Sequence, residues 1–143
     1  MIRSKPNGMS RALVLALGLT ATLAVAQESK MVTGKQNLVC ASRDVMACVD
    51  GPACLQGTSS TFDLPAFMFI DFKKMDVRAV DDDGSTAISP VKTHEVTERS
   101  LIMQGYENHH GWTIAVDRMD GRFTLSSTGP EVNFMIMGAC TTL

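Results

Sequence analysis

The sequence predicts an all-β domain, a small antiparallel up-and-down barrel of about eight strands, with a two-sheet sandwich as the alternative. Three observations lead there. From Leu38 onward, short apolar runs alternate with turn residues at roughly 8–12-residue intervals. Beyond Gln27 no stretch of about a dozen residues keeps a helical period. Cys40 falls in the first run and Cys140 just past the last, on its inward parity, so a bridge between them would close the sheet on itself.

The elements follow in chain order. Arg3, Lys5 and Arg11 precede the apolar run Ala12 to Ala26, which ends in Ala24-Val25-Ala26. A charged n-region, an h-region and a small-x-small site predict a cleavable export signal over residues 1–26, cut near Ala26/Gln27. At about 15 residues the run falls short of the ~20 needed to span a bilayer. Residues 27–37 are polar and aperiodic and read as a flexible N-terminal arm. Residues 38–143 form the single disulfide-stabilised β domain. Its runs are Leu38–Val49, Ala66–Phe72, Met75–Val80, Ala87–Ile88, His94–Thr97, Ser100–Gln104, Trp112–Val116, Arg122–Ser126 and Val132–Gly138. Between them lie Asp50-Gly51-Pro52, Lys73-Lys74, Asp83-Gly84, Glu107 to Gly111, Asp120-Gly121 and Gly129-Pro130. Asp-Gly steps suit tight hairpins because glycine accepts positive φ without strain. Period-two alternation supplies the inward faces: Trp112, Ile114 and Val116; Phe123 and Leu125; Phe134, Ile136, Gly138 and Cys140.

All four cysteines follow the export signal. An even count in an oxidising compartment predicts two disulfides. Cys48 and Cys54 flank the Asp50-Gly51-Pro52 reversal and pair with each other. Cys40 and Cys140 then join the first strand to the last. A Cys-x5-Cys spacing with one distant cysteine fits no common zinc finger.

Removing residues 1–26 of the 143 leaves 117, enough for one core. Ten Lys and Arg then face fifteen Asp and Glu, a net charge of −5. Without a basic stripe there is nothing to neutralise phosphates, so nucleic acid is not expected as a partner. The same balance disfavours an anionic membrane surface, and no membrane anchor remains after signal cleavage.

The segment Gly105 to Trp112 is the candidate recognition loop, with Tyr106, Glu107, Asn108, His109 and Trp112 as its contact residues. It holds the chain's only Tyr and only Trp, and amphipathic aromatics beside hydrogen-bonding groups suit partner contacts. No G-x-S-x-G elbow or local His partner marks a catalytic site, so none is assigned and the chain reads as a non-enzyme. A carboxylate hydrolase, the weaker alternative, would use Asp71, Glu95 or Asp117. His109-His110 and the methionines do not make a convincing metal site, because adjacent strand side chains diverge. No cofactor is expected.

Several marks, namely Leu38-Val39-Cys40, Cys48, Cys54, Leu64-Pro65, Gln104-Gly105, Glu107-Asn108, Gly111-Trp112-Thr113-Ile114, Gly121-Arg122 and Gly138-Ala139-Cys140, resemble those of a group of small exported proteobacterial proteins without assigned activity. The likeness spans most of residues 38–142 and implies export and one domain. The group carries Gly and Arg after the Glu-Asn pair, where this chain has His109-His110. Ser126-Ser127-Thr128-Gly129 is also similar to the inhibitory loop of periplasmic inhibitors of C-type lysozyme, which implies a small bridged barrel; Pro130 and Glu131 depart from it.

The resulting expectation is a monomeric periplasmic or secreted protein of the bacterial envelope. It acts as a binding module for an unknown protein, or as a calycin-like carrier of a small apolar ligand. A hydrolase inhibitor is the weaker reading.

Overall fold

Strand pairing follows directly from the alternation. The computed structural model describes residues 32–49, 53–81 and 83–143. The expected export signal, the first part of the arm and the Asp50-Gly51-Pro52 reversal lie outside the described residues. Among those described, nine strands run in chain order: β1 Leu38–Val49, β2 Cys54–Gly57, β3 Phe67–Asp71, β4 Asp76–Val80, β5 Thr86–Val96, β6 Ser100–Glu107, β7 His110–Asp117, β8 Arg122–Thr128 and β9 Val132–Thr142. Neighbours pair antiparallel in the order β1-β3-β4-β5-β6-β7-β8-β9, and β1 pairs back to β9. The result is a closed eight-stranded barrel with β2 as an extra strand. Closure removes the open sheet edges a sandwich would leave.

β1 organises the closure. One edge runs along β9 from Leu38↔Thr142 to Val49↔Val132. The other pairs β3 over Leu38–Ala41 and β2 over Val45–Cys48. Cys40 stands directly opposite Cys140, and Cys48 opposite Cys54. Both pairs are disulfide-bonded, as their parity and spacing predict. Two disulfides place the folded chain in an oxidising, extracytoplasmic environment.

A bulge between Ser42 and Asp44 shifts the β1 register. It explains why Leu38 and Cys40 face inward on even positions while Val45 and Ala47 face inward on odd ones. Gly138 lies opposite the bulge, where a β-carbon would come within 2.0 Å of the Ala41 carbonyl oxygen.

Three expectations are corrected. The separate runs Ala87–Ile88 and His94–Thr97 belong to one strand, β5, which passes straight through Pro90. Val91 donates its N–H to the Met75 carbonyl, so alternation turns the Pro90 nitrogen toward β6, whose pairing with β5 starts only at Val91↔Gly105. β2, which had no periodic signal, is held by four pairs to β1 and by its disulfide. Finally, residues 32–37 are not a free arm. Val32 is only 2% exposed. Its N–H donates to the Arg118 carbonyl (2.8 Å), and its own carbonyl accepts from Arg118 Nε (2.9 Å).

That contact defines the two ends of the barrel. The Val32 end is filled: Leu38, Cys40, Ile70, Leu101, Met103, Val116 and Phe123 are buried there. Each large apolar side chain so buried contributes about 1.5–3 kcal/mol. At the opposite end, inward side chains of several strands line a hollow.

Candidate hydrophobic cavity at the open end of the barrel

The open end holds a solvent-accessible cavity of about 300 Å³. Its floor and walls are apolar, built from Met68, Val77, Ile114, Leu125 and Ile136, inward residues of five strands, with Trp112 and Phe134 above them. Leu64 reaches in from the 3₁₀ turn Ser59–Phe62 and the residues after it. Five polar residues complete the lining: Ser89, Glu107, Asn108, His110 and Ser127.

A glycine makes room for the wall's principal side chain. Gly105 and Trp112 are paired across β6 and β7. A β-carbon at Gly105 would lie 2.2 Å from Trp112 Cζ2, so only glycine lets the indole lie across β6. The ring thereby reaches β5, where Nε1 donates to Ser89 Oγ at 2.7 Å. Ser89 is itself buried, and this bond satisfies a hydroxyl that burial would otherwise penalise. Gly129 provides the same clearance for His110, whose ring would come within 2.4 Å of a β-carbon there. His110 Nδ1 lies 3.3 Å from Ser127 Oγ.

The candidate recognition loop takes a different form from the one expected. Gly105 to Glu107 end β6 and His110 to Trp112 begin β7, leaving a two-residue turn, Asn108-His109. Both residues have positive φ, 48° and 66°, the signature of a type I′ hairpin. Of the five residues singled out, Glu107, Asn108 and Trp112 line the cavity. Tyr106 points outward, 63% exposed, with Lys92 Nζ 5.0 Å above its ring. His109 is exposed at the turn. Period-two parity alone would have found Ser127, which follows Phe123 and Leu125. His110 shares the inward parity of Trp112 and Ile114, whereas Ser89 and Leu64 join the site only because the barrel closes around them.

No protein-family model, no curated protein and no solved structure matches this chain. The site therefore rests on its own geometry.

Other sites have less to offer. A hollow of about 730 Å³ is larger, but it is lined by outward, small residues such as Ala41, Ala115 and Ala139, with Arg43, Asp117 and Arg122 around it. Among the described residues no three His, Cys, Asp or Glu side chains are grouped to hold a metal ion. Of the hydrolase candidates, Glu95 is exposed on β5. Asp71 and Asp117 cap turns at the filled end. The Asp71 carboxyl is held below the ordinary carboxylate range chiefly by the Lys74 N–H, against some desolvation, with Lys73 and Arg78 assisting. Asp117 is held down chiefly by the Met119 N–H, again against some desolvation, with help from Arg99. A general acid needs the opposite shift.

Proposed function

We propose that this protein is a non-enzymatic binding protein of the bacterial envelope, exported to the periplasm or beyond, which holds a small, largely apolar ligand in the open end of its barrel. The observation that carries this reading is the cavity itself. Its walls are mostly apolar, with the buried Ser89 engaged by Trp112 and a few further polar groups beside them, which is how sites for small molecules are built. An apolar cavity of about 150 Å³ accommodates benzene. Twice that volume suits a ligand of about twelve non-hydrogen atoms. Ligand contact through Glu107, Asn108 and Trp112 keeps part of the expected recognition segment but turns it inward, toward a small molecule rather than a protein.

The test is native mass spectrometry of the protein purified from its own host without detergent. The reading expects an adduct of roughly 150–250 Da that organic extraction removes. An unliganded mass, together with no uptake of any apolar probe of that size, would end it.

A further inference from the structure

The two ends of the barrel differ in charge: the described turns of the open end carry only carboxylates, whereas the filled end carries both signs. At the open end lie the 58–66 connection, the β4–β5 turn, the β6–β7 turn and the β8–β9 turn. Their described residues include five carboxylates, Asp63, Asp81, Asp83, Glu107 and Glu131, and no Lys or Arg. At the filled end, Lys73, Lys74, Arg99, Arg118 and Arg122 stand among carboxylates of their own, Asp71, Asp76, Glu98, Asp117 and Asp120. The five carboxylates of the open end thus have no Lys or Arg in the described turns beside them, and the strand cation Lys92 lies over the outward Tyr106 ring. Glu107 lines its rim. Asp63, Asp81 and Asp83 surround an adjoining hollow that shares Leu64 with the cavity wall.

The geometry points to a cationic amphiphile as the ligand: an alkyl or aryl amine of about twelve non-hydrogen atoms, its apolar body against Trp112, Leu125, Phe134 and Ile136 and its ammonium group among the rim carboxylates. This inference rests on the cavity reading above and adds the sign of the ligand's charge. The body is recognised by burial of apolar surface. The head group is recognised by the field at the mouth, where carboxylates around an apolar hollow concentrate cations and repel anions. A fatty-acid carboxylate of the same length would enter the same walls but meet like charge, with no Arg or Lys among the described rim residues to pair it. His110 and Asn108 offer an ammonium group further acceptors at the rim.

The experiment compares three ligands with one body and three charges: n-decylamine, n-decanol and decanoate, titrated below their micelle concentrations at pH 7. The chain's single tryptophan lies in the cavity wall, so Trp112 fluorescence reports occupancy, and calorimetry supplies the affinities. The proposal expects decylamine to bind at least about tenfold tighter than decanoate at low salt, with decanol between them. That spread should narrow as salt screens the rim. Glu107→Gln, and separately Asp63→Asn, should lower the decylamine-to-decanol affinity ratio. Equal affinity for all three ligands would overturn charge selection while leaving the cavity reading in place. Tightest binding of decanoate would overturn it in the same way. Failure of all three to bind would remove the cavity reading and this inference together.

Discussion

Trp112 and Ser89 meet across an intervening strand: the indole N–H on β7 donates to the serine hydroxyl on β5 at 2.7 Å, passing over Gly105 on β6. One hydrogen bond thus ties three strands together at the level where the filled part of the barrel gives way to the cavity. It holds a large aromatic face in the cavity wall while meeting the polar need of both groups. The site's shape depends on that arrangement more than on any other contact at the open end.

Gly105→Ala should therefore destabilise the fold by about 1–3 kcal/mol, the cost of overpacking. The new methyl would strike Trp112 and also the Pro90 carbonyl, 2.5 Å away. Trp112→Phe should cost about 1–3 kcal/mol as well, because Ser89 is left buried without its donor. Urea denaturation of both variants measures the losses. A neutral Gly105→Ala would mean that the indole does not cross β6.

The two disulfides should contribute unequally. Their sequence separations are 100 and 6. On the chain-entropy account the long closure is worth about 4–5 kcal/mol and the short one about 2 kcal/mol. Replacing Cys40 and Cys140 together by Ser should cost more stability than replacing Cys48 and Cys54 together, as read from denaturant midpoints under oxidising conditions. The reverse order would contradict the role of the β1–β9 seam.

His109 occupies a left-handed position at φ 66°, where a side chain costs roughly 1–2 kcal/mol relative to glycine. His109→Gly should raise the thermal midpoint, since Asn-Gly is the preferred type I′ pair. An unchanged or lower midpoint would argue that the hairpin is not a type I′ turn.

Asp71 and Asp117 set the acid sensitivity of the filled end. Asp71 Oδ1 accepts the N–H groups of Lys73 and Lys74, and Oδ2 pairs with Arg78. Asp117 accepts the Met119 N–H and pairs with Arg99. Both carboxyls lie lower in the folded chain than their ordinary value of 3.8. The native state then binds these protons more weakly than the unfolded state does. Their stabilisation is fully present above about pH 4 and is lost as pH falls through the lowered native values. Thermal midpoints measured from pH 6 downward should drop below about pH 4, and less steeply for Asp71→Asn. Parallel curves for the two proteins would contradict this.

The barrel was legible in the sequence where one face of a strand is buried and the other wet. Trp112, Ile114 and Val116 alternate cleanly with Thr113, Ala115 and Asp117. The pairing of Cys40 with Cys140 followed because each shares parity with buried neighbours. Legibility failed where local rules are overridden from a distance. Pro90 lies between two runs that read as separate, Ala87–Ile88 and His94–Thr97, yet its missing N–H faces beyond the β5–β6 ladder. Cys54–Gly57 has no alternation because its side chains are mostly exposed, and Val32 is fixed by Arg118, 86 residues away. The candidate site was half legible. Aromatic and polar composition drew attention to Glu107, Asn108 and Trp112, but the cavity they line is made by residues from several strands and exists only once the barrel closes. The acidic character of its mouth became visible only when topology assigned each turn to an end.

Whether the open end is truly hollow and apolar can be measured by diffraction from a crystal held under xenon, which enters dry apolar cavities. The account predicts a xenon site among Trp112, Leu125, Phe134 and Ile136, with those side chains undisplaced. A barrel interior in which Trp112 and Phe134 meet across the axis and no xenon enters would contradict it.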